Sequence, residues 1–167
     1  MSVDFFETDC KELSRQDLSF GLCDDQDGTI AYSSISKDDT WIATVINSSA
    51  KEITFTAIDN CINILKEGKK DKEKSCDGML TFDDSLYLVE LKEKAPGGWI
   101  SIAKKQLENT IRLLNEQHNL DNFRYKKAYA CNKRHPYFTV VEASEKKSFF
   151  ERTSGFRIDV QAEVIVK

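Results

Sequence analysis

Hydrophobic and polar positions repeat along this chain with two different periods, and together they predict a mixed α/β (α+β) fold. Spacings of three and four residues predict helices at 56–67, Trp99–Gln117 and 142–152. Short apolar runs or strict alternation predict strands at 17–23, 29–35, 41–46, 76–82, Ser85–Lys92, 124–131 and 156–166. After residue 55 the predicted order is therefore α-β-β-α-β-α-β, which favours a mixed central sheet flanked by helices.

The first 50 residues differ from the rest because their short strands are separated by turn-forming clusters. We expect an antiparallel β appendage over residues 1–50, joined to a core over residues 51–167, within one domain of 167 residues. One of the clusters is Asp24-Asp25-Gln26-Asp27-Gly28, which lacks the closing glutamate of an EF-hand calcium loop. A solvated hairpin turn is the expected structure there.

Charge is distributed unevenly along the chain. The net charge is −4, but residues 1–60 carry −8 and the remainder carries +4, which favours a polyanion surface on the second part. Basic residues near 124–134 alternate with Tyr125, Tyr129 and Tyr137, a pattern typical of nucleic-acid contacts. A solvated lysine face is the alternative. The cations expected to contact nucleic acid are Lys94, Lys104, Lys105, Lys126, Lys127 and Arg134.

Composition and the cysteines bound the cellular setting. Hydrophobic residues make up 40% of the chain and charged residues 31%, as in soluble globular proteins. There is no apolar run of about 18–20 residues and no apolar signal segment at the acidic N-terminus, so we expect a cytoplasmic protein without a membrane partner. The five cysteines are widely spaced and lack a CxxC pair, which predicts reduced, mostly buried thiols.

Two carboxylates and a lysine fall on one face of a predicted hairpin. If residues 83–84 form a two-residue turn, Asp77 lies directly opposite Glu90, and alternation places Lys92 on the same face. Facing residues of this kind have Cβ atoms about 4.5–5.5 Å apart. The repulsion between two such acids favours a hard divalent cation, Mg²⁺ or Mn²⁺, and the lysine would add positive charge where a phosphate develops negative charge. The alternative is a water-facing cluster of ion pairs at the hairpin end.

Asp77, followed after twelve residues by Glu90-Leu91-Lys92, resembles the motif of the PD-(D/E)XK nuclease superfamily, which has the restriction-endonuclease-like fold. The resemblance covers about residues 53–132, where that superfamily has an α-β-β-β-α-β core, and we expect the αββαβ part of it here. It implies metal ligands at Asp77, Glu90 and the Leu91 carbonyl, a catalytic Lys92, and an auxiliary catalytic Gln106 on the following helix.

The chain departs from the family pattern at two positions. Cys76 stands where a proline often precedes the motif aspartate, and Thr110 stands where a tyrosine often follows the helical glutamine. An acid from the first helix often assists in this family, and both Asp59 and Glu67 are candidates.

The resemblance implies a Mg²⁺- or Mn²⁺-dependent nuclease that hydrolyses phosphodiester bonds of DNA or RNA. The alternative is a catalytically silent protein of the same fold that binds a protein partner, as an immunity or regulatory factor would. The acidic first 60 residues motivate that alternative. Both a monomer and a dimer stay open.

Overall fold

The computed structural model describes residues 3–94, 96–135, 137 and 139–167 of the chain. Over these residues the polypeptide forms nine strands and two α-helices. The strands are β1 Ser19–Cys23, β2 Tyr32–Ser34, β3 Ala43–Ile46, β4 Thr54–Ala57, β5 Gly78–Phe82, β6 Ser85–Lys92, β7 Tyr125–Asn132, β8 Arg157–Val160 and β9 Glu163–Ile165. The helices are α1 Trp99–Gln117 and α2 Ala143–Arg152.

The strands form two mixed sheets that pack face to face. One sheet has the order β2-β1-β3-β9 and the other has the order β4-β5-β6-β7-β8. Side chains of both sheets share one hydrophobic core, while α1 and α2 pack on the opposite face of the five-stranded sheet around a second core. The mixed α+β class is thereby confirmed, with helices on one face of the five-stranded sheet and a second sheet on the other.

Strand β6 lies in the middle of these three layers, and its sequence follows from that position. Leu86 and Leu88 face the helices, whereas Tyr87 and Val89 face the four-stranded sheet. A strand covered on both faces needs apolar residues at successive positions rather than at alternate ones. Any polar side chain in this strand is therefore removed from water unless it lies at the strand end.

The predicted helix over residues 56–67 is wrong. Residues 54–57 form β4, which pairs antiparallel with β5, and turns follow it through Asn60, whose φ is +63°. The apolar positions that suggested a helix still reach the core, because Ile58 and Ile62 pack beneath the α1 layer from the turns. A spacing of three and four residues fits consecutive turns as well as a helix, and pairing with β5 decided between them.

The single strand predicted over residues 156–166 is divided between the two sheets. β8 pairs with β7 in the five-stranded sheet, and β9 pairs parallel with β3 in the four-stranded sheet. Ile158 and Val160 accordingly contact the helical layer, while Val164 lies between the sheets. The N-terminal strands predicted as an appendage thus form a sheet with a C-terminal strand and are integrated into the fold.

The cysteine prediction is correct for three residues and wrong for two. Cys23, Cys76 and Cys131 are buried free thiols, whereas Cys10 and Cys61 form a disulfide. The bond ties the segment before β1 to the turns after β4, which wide spacing in sequence could not reveal. Within the described parts of the chain, no helix combines the length and apolarity needed to cross a bilayer.

Candidate acidic site

The β5–β6 hairpin has the predicted register. Phe82 pairs with Ser85 and Gly78 pairs with Val89. Continuing this register by one residue beyond the Gly78–Val89 pair places Asp77 opposite Glu90. Asp83, in the two-residue turn, has φ +49°, a left-handed conformation that such tight hairpins require. Turn length therefore fixes the pairing of the two acids.

Asp77 and Glu90 are buried neighbours. Their relative exposures are 6% and 1%, and Asp77 Oδ2 accepts a hydrogen bond of 2.6 Å from the Leu91 N–H. Burial, followed by the nearby Glu90 charge, raises the pKa of the Asp77 carboxyl well above its ordinary value. Burial also raises the pKa of Glu90, although Lys92 opposes that effect. The pair is therefore costly to ionise without a compensating cation.

Lys92 supplies one positive charge at the end of β6. Its Nζ lies 2.8 Å from Glu90 Oε2 and donates a hydrogen bond of 3.0 Å to Gln106 Oε1 on α1. Burial lowers the pKa of this ammonium, but Glu90, Asp77 and Asp24 together outweigh burial and the net direction is upward. The lysine therefore stays cationic, and the structure brings the predicted residues Asp77, Glu90, Lys92 and Gln106 together.

One carboxylate oxygen of the site lacks a partner. Among the described residues, Glu90 Oε1 is buried and lacks a hydrogen-bond partner, while Oε2 of the same group is paired with Lys92 and a hydrogen bond with the Asp77 carboxyl lowers the Glu90 pKa. A buried polar atom without a partner costs free energy, and such atoms are typical of functional sites that receive an ion. The atoms available here as metal ligands are oxygens, which suit Mg²⁺ or Mn²⁺.

No group of three or more His, Cys, Asp or Glu residues in the described ranges is arranged to hold a metal ion. Magnesium, however, commonly uses one or two carboxylates and takes its remaining ligands from water and substrate phosphate. Asp77 and Glu90 fit that smaller requirement, and the Leu91 carbonyl lies at the same strand end.

Thr110 of α1 positions the chain before Asp77. Its buried hydroxyl accepts a hydrogen bond of 2.7 Å from the Cys76 N–H and donates one of 2.8 Å to the Gln106 carbonyl. Gln106 adds a longer contact of 3.5 Å to the Ser75 carbonyl. A single hydroxyl thus connects the helix that carries Gln106 with the segment that carries the motif aspartate. In the sequence Thr110 stands out only as a departure from the tyrosine of the family pattern.

The prediction of a solvated hairpin turn at residues 24–28 is wrong for part of this segment. Asp25 and Asp27 are exposed, but Asp24 is partly buried and lies beside Asp77, where its charge and its ability to accept a hydrogen bond from the protonated Asp77 carboxyl both raise the pKa of Asp77. Gln26 Nε2 also donates a 3.4 Å hydrogen bond to the Leu91 carbonyl. No local pattern predicted these contacts, because they depend on how the two sheets pack.

Of the two acids proposed as assistants, Asp59 is the one near the site. It lies in the turn after β4, where burial raises its pKa, and its charge interacts with Asp24 and Lys92. Glu67 is exposed in a later turn, immediately before Gly68. The assisting acid would thus come from a turn and not from the predicted helix.

The cations predicted to contact nucleic acid are split between several places. Lys94 and Arg134 lie in loops at the site end of the sheet, and the buried Asn132 side chain bonds the backbone of both. On α1, Lys105 is exposed and Lys104 pairs with Glu145.

Lys126 and Lys127 lie at the opposite end of β7 from the acidic site. Tyr129 is 1% exposed and is therefore unavailable for stacking on a base, contrary to expectation. Tyr125 and Tyr137 are exposed. The predicted basic residues therefore do not form one surface.

Comparisons with protein-family models, curated proteins and solved structures find no match to this chain.

Proposed function

We propose that this protein is a divalent-metal-dependent nuclease that hydrolyses phosphodiester bonds of DNA or RNA at the Asp77–Glu90–Lys92 site. The observation that carries the proposal is Glu90 Oε1, a buried oxygen without a partner, beside a second buried carboxylate and a lysine held cationic. Two adjacent buried acids destabilise a fold, so their presence at one strand end favours a role that uses them.

The order of elements supports a restriction-endonuclease-like core. β4, β5 and β6 form an antiparallel meander, α1 crosses over, and β7 returns parallel to β6. This order resembles the β-β-β-α-β part of the PD-(D/E)XK core, with Asp77 immediately before β5 and Glu90 on the adjacent strand β6. The helix that precedes these strands in that core is not reproduced: an extended N-terminal segment lies beside β4 instead, with bridges from Lys11 to Thr56 in β4 and from Arg15 to Ile53 just before it.

In this proposal Asp77, Glu90 and the Leu91 carbonyl would hold Mg²⁺ or Mn²⁺. When bound, the ion supplies Lewis-acid chemistry that stabilises negative charge on the reacting phosphate and lowers the pKa of a water. Lys92 contributes electrostatic stabilisation, since a raised pKa keeps its side chain protonated and positively charged. Gln106 accepts a hydrogen bond from that ammonium and so limits where the positive charge can lie.

The test is hydrolysis of plasmid DNA, single-stranded DNA and RNA with Mg²⁺ or Mn²⁺. Glu90→Gln and Lys92→Met should each lower the rate by about 100-fold or more, the usual loss when a transition-state contact is removed. Glu93→Gln is the matched control, because it removes one acid just past the end of β6. Equal rates in wild type and both site variants would exclude the proposal.

A second candidate is a catalytically silent protein-binding module, and the 24–28 turn favours it. Asp24 lies where it can accept a hydrogen bond from the protonated Asp77 carboxyl, and the Gln26 amide donates a 3.4 Å hydrogen bond to the Leu91 carbonyl that a metal would use. Calorimetry with Mn²⁺ separates the two candidates. Heat of binding in the wild type, abolished by Glu90→Gln, supports the nuclease. Binding seen only after Asp24→Ala and Gln26→Ala would support the silent module.

The cytoplasmic location expected from the N-terminal sequence belongs to the same proposal. The Cys10–Cys61 disulfide opposes it, since the cytosol keeps most thiols reduced. Alkylation of freshly lysed cells followed by mass spectrometry would show which state is present. Two modified cysteines at positions 10 and 61 are the expected result for a cytoplasmic protein.

A further inference from the structure

A cation-lined groove lies at the end of the five-stranded sheet opposite the acidic site. Its volume is about 940 Å³, and it is formed by the starts of β7 and β8 together with α2. In the β6–β7 register, Ser85 pairs with Tyr125 at the groove end, and Lys92 pairs with Asn132 at the site end. At about 3.3 Å per residue, those two ends are roughly 23 Å apart. The groove is therefore separate from the acidic site.

The groove concentrates positive charge on an acidic protein. Six basic side chains line it against one acid, Asp159, although the chain as a whole carries −4. Asp159 lies 3.5 Å from Lys146, so most of the positive charge is not neutralised by the acid in the groove. The six basic residues are Arg124, Lys126, Lys127, Lys146, Lys147 and Arg157.

Crowding of like charges has a measurable consequence inside the groove. Burial lowers the pKa of the Lys127 ammonium, and Lys167, which lies outside the groove, lowers it further together with Arg157 and Lys146, against the opposing effect of Asp159. Like charges held together destabilise a folded protein unless an anion joins them. This arrangement favours a polyanionic ligand.

Two exposed aromatic rings make the groove more specific than a general anion site. Tyr125 is 51% exposed and Phe150 is 42% exposed, and both line the groove. The Arg124 guanidinium lies 5.4 Å from the Tyr125 ring centre, and that of Arg157 lies 5.8 Å from the Phe150 ring centre. Each ring is thus paired with a cation that can contact a phosphate next to a stacked base.

We propose that this groove binds single-stranded nucleic acid without base preference, through phosphate contacts to its lysines and arginines and through stacking of bases on Tyr125 and Phe150. Duplexes keep their bases stacked inside, so they could use only the cations. The binding site does not require the acidic site to be catalytic.

The test is fluorescence anisotropy of the full chain in EDTA with a labelled oligothymidylate of about 12 nucleotides. The variant R124A/K147A/R157A should bind at least tenfold more weakly, and its salt slope should fall by about 2, at roughly 0.7 per lost phosphate contact. The control K37A/K69A/K70A removes three exposed cations outside the groove and should bind like wild type. Equal losses in both triple variants would overturn the proposal.

Stacking has its own pair of variants. Tyr125→Ala should weaken binding by about 5- to 150-fold, which corresponds to roughly 1–3 kcal/mol per stacked base, while Tyr125→Phe should retain it. Tight binding of heparin or of duplex DNA, with Tyr125→Ala unchanged, would show a charge patch that does not contact bases, and would overturn the proposal.

Failure of this inference and failure of the nuclease proposal are distinguishable. Glu90→Gln should bind the oligothymidylate in EDTA as wild type does, whatever its effect on hydrolysis. Circular dichroism and thermal unfolding of each variant confirm that a loss of binding is not a loss of folding.

Discussion

Asp77 and Glu90 are two carboxylates that the fold removes from water at the same point. Each is nearly inaccessible, and the Asp24 side chain brings a third acid against Asp77. One lysine compensates part of this charge, through its ion pair with Glu90. At the level of single residues, the site is therefore arranged at the expense of stability.

Replacing Asp77 by asparagine tests whether the buried acids lower the free energy of unfolding. The amide oxygen can still accept the Leu91 N–H, but the cost of burying an ionisable carboxyl beside Glu90 and Asp24 is removed. We expect the free energy of unfolding in EDTA to rise by about 1–2 kcal/mol, or roughly 2–8 °C in Tm. Mg²⁺ should raise the Tm of wild type but not that of Asp77→Asn. Asp84→Asn, an exposed acid of the same hairpin, is the control, and a destabilised Asp77→Asn would contradict the prediction.

We expect the Thr110 hydroxyl to matter for stability and hydrolysis through its hydrogen bonds and not through the space that the side chain fills. Thr110→Val keeps the shape but leaves the buried Cys76 N–H without its acceptor, so we expect a loss of about 1–3 kcal/mol in urea unfolding. Hydrolysis should fall as well, because the segment that carries Asp77 is released from α1. Thr110→Ser keeps the hydroxyl and should retain activity. Equal behaviour of the two variants would show that the hydroxyl contributes little.

At the scale of elements, the β4–β5 pair depends on the close approach at Gly78. A Cβ there would lie 2.4 Å from the Phe55 ring and 2.9 Å from the Thr56 carbonyl oxygen. Gly78→Ala should therefore force the strands apart and cost about 1–3 kcal/mol. Because Asp77 immediately precedes Gly78, the shift should also displace this proposed metal ligand, so Mg²⁺ should stabilise the variant less than it stabilises wild type.

A double-mutant cycle identifies the clash as the cause. Phe55→Leu provides room at the ring, so Gly78→Ala should cost less in that background than in wild type when both are measured by urea unfolding. An unchanged cost would assign the effect to the Thr56 backbone instead.

Elements whose partners are close in sequence were predictable, and elements whose partners are distant were not. The bounds of β6 and α1 are those predicted, and the two-residue turn gave the register that brings Asp77 to Glu90. The segment after residue 56 and the division between β8 and β9 were missed, because sheet pairings decided them. Contact of Asp24 with the site was missed for the same reason, since sheet packing creates it.

At the scale of the whole molecule, the Cys10–Cys61 disulfide joins the N-terminal segment to the turns that carry Asp59. The two cysteines are 51 residues apart, and closing a loop of that size stabilises a fold by about 2–4 kcal/mol. Cys10→Ser with Cys61→Ser should lose stability by that amount in urea unfolding. Reduced wild type should match the variant, and the variant should not respond to reductant. A wild type that is equally stable when reduced would contradict the prediction.

The two ends of the sheet carry opposite chemistry, with acids where β6 ends and cations where β7 begins. Because the cations of the groove lie at the opposite end of the sheet from the carboxylates, they do not neutralise them. Substitutions should therefore be able to alter single-stranded nucleic-acid binding in the groove and the acidic site independently.

The pairing of β3 with β9 has a consequence for synthesis on the ribosome. Thr44 leaves the ribosome long before its partner Glu163. Until β9 has been synthesised, one edge of β3 is paired with β1 and the other edge has no hydrogen-bonding partner strand. Such an edge can pair with other chains, so nascent polypeptides would be the form of this protein most prone to aggregate and most dependent on chaperones.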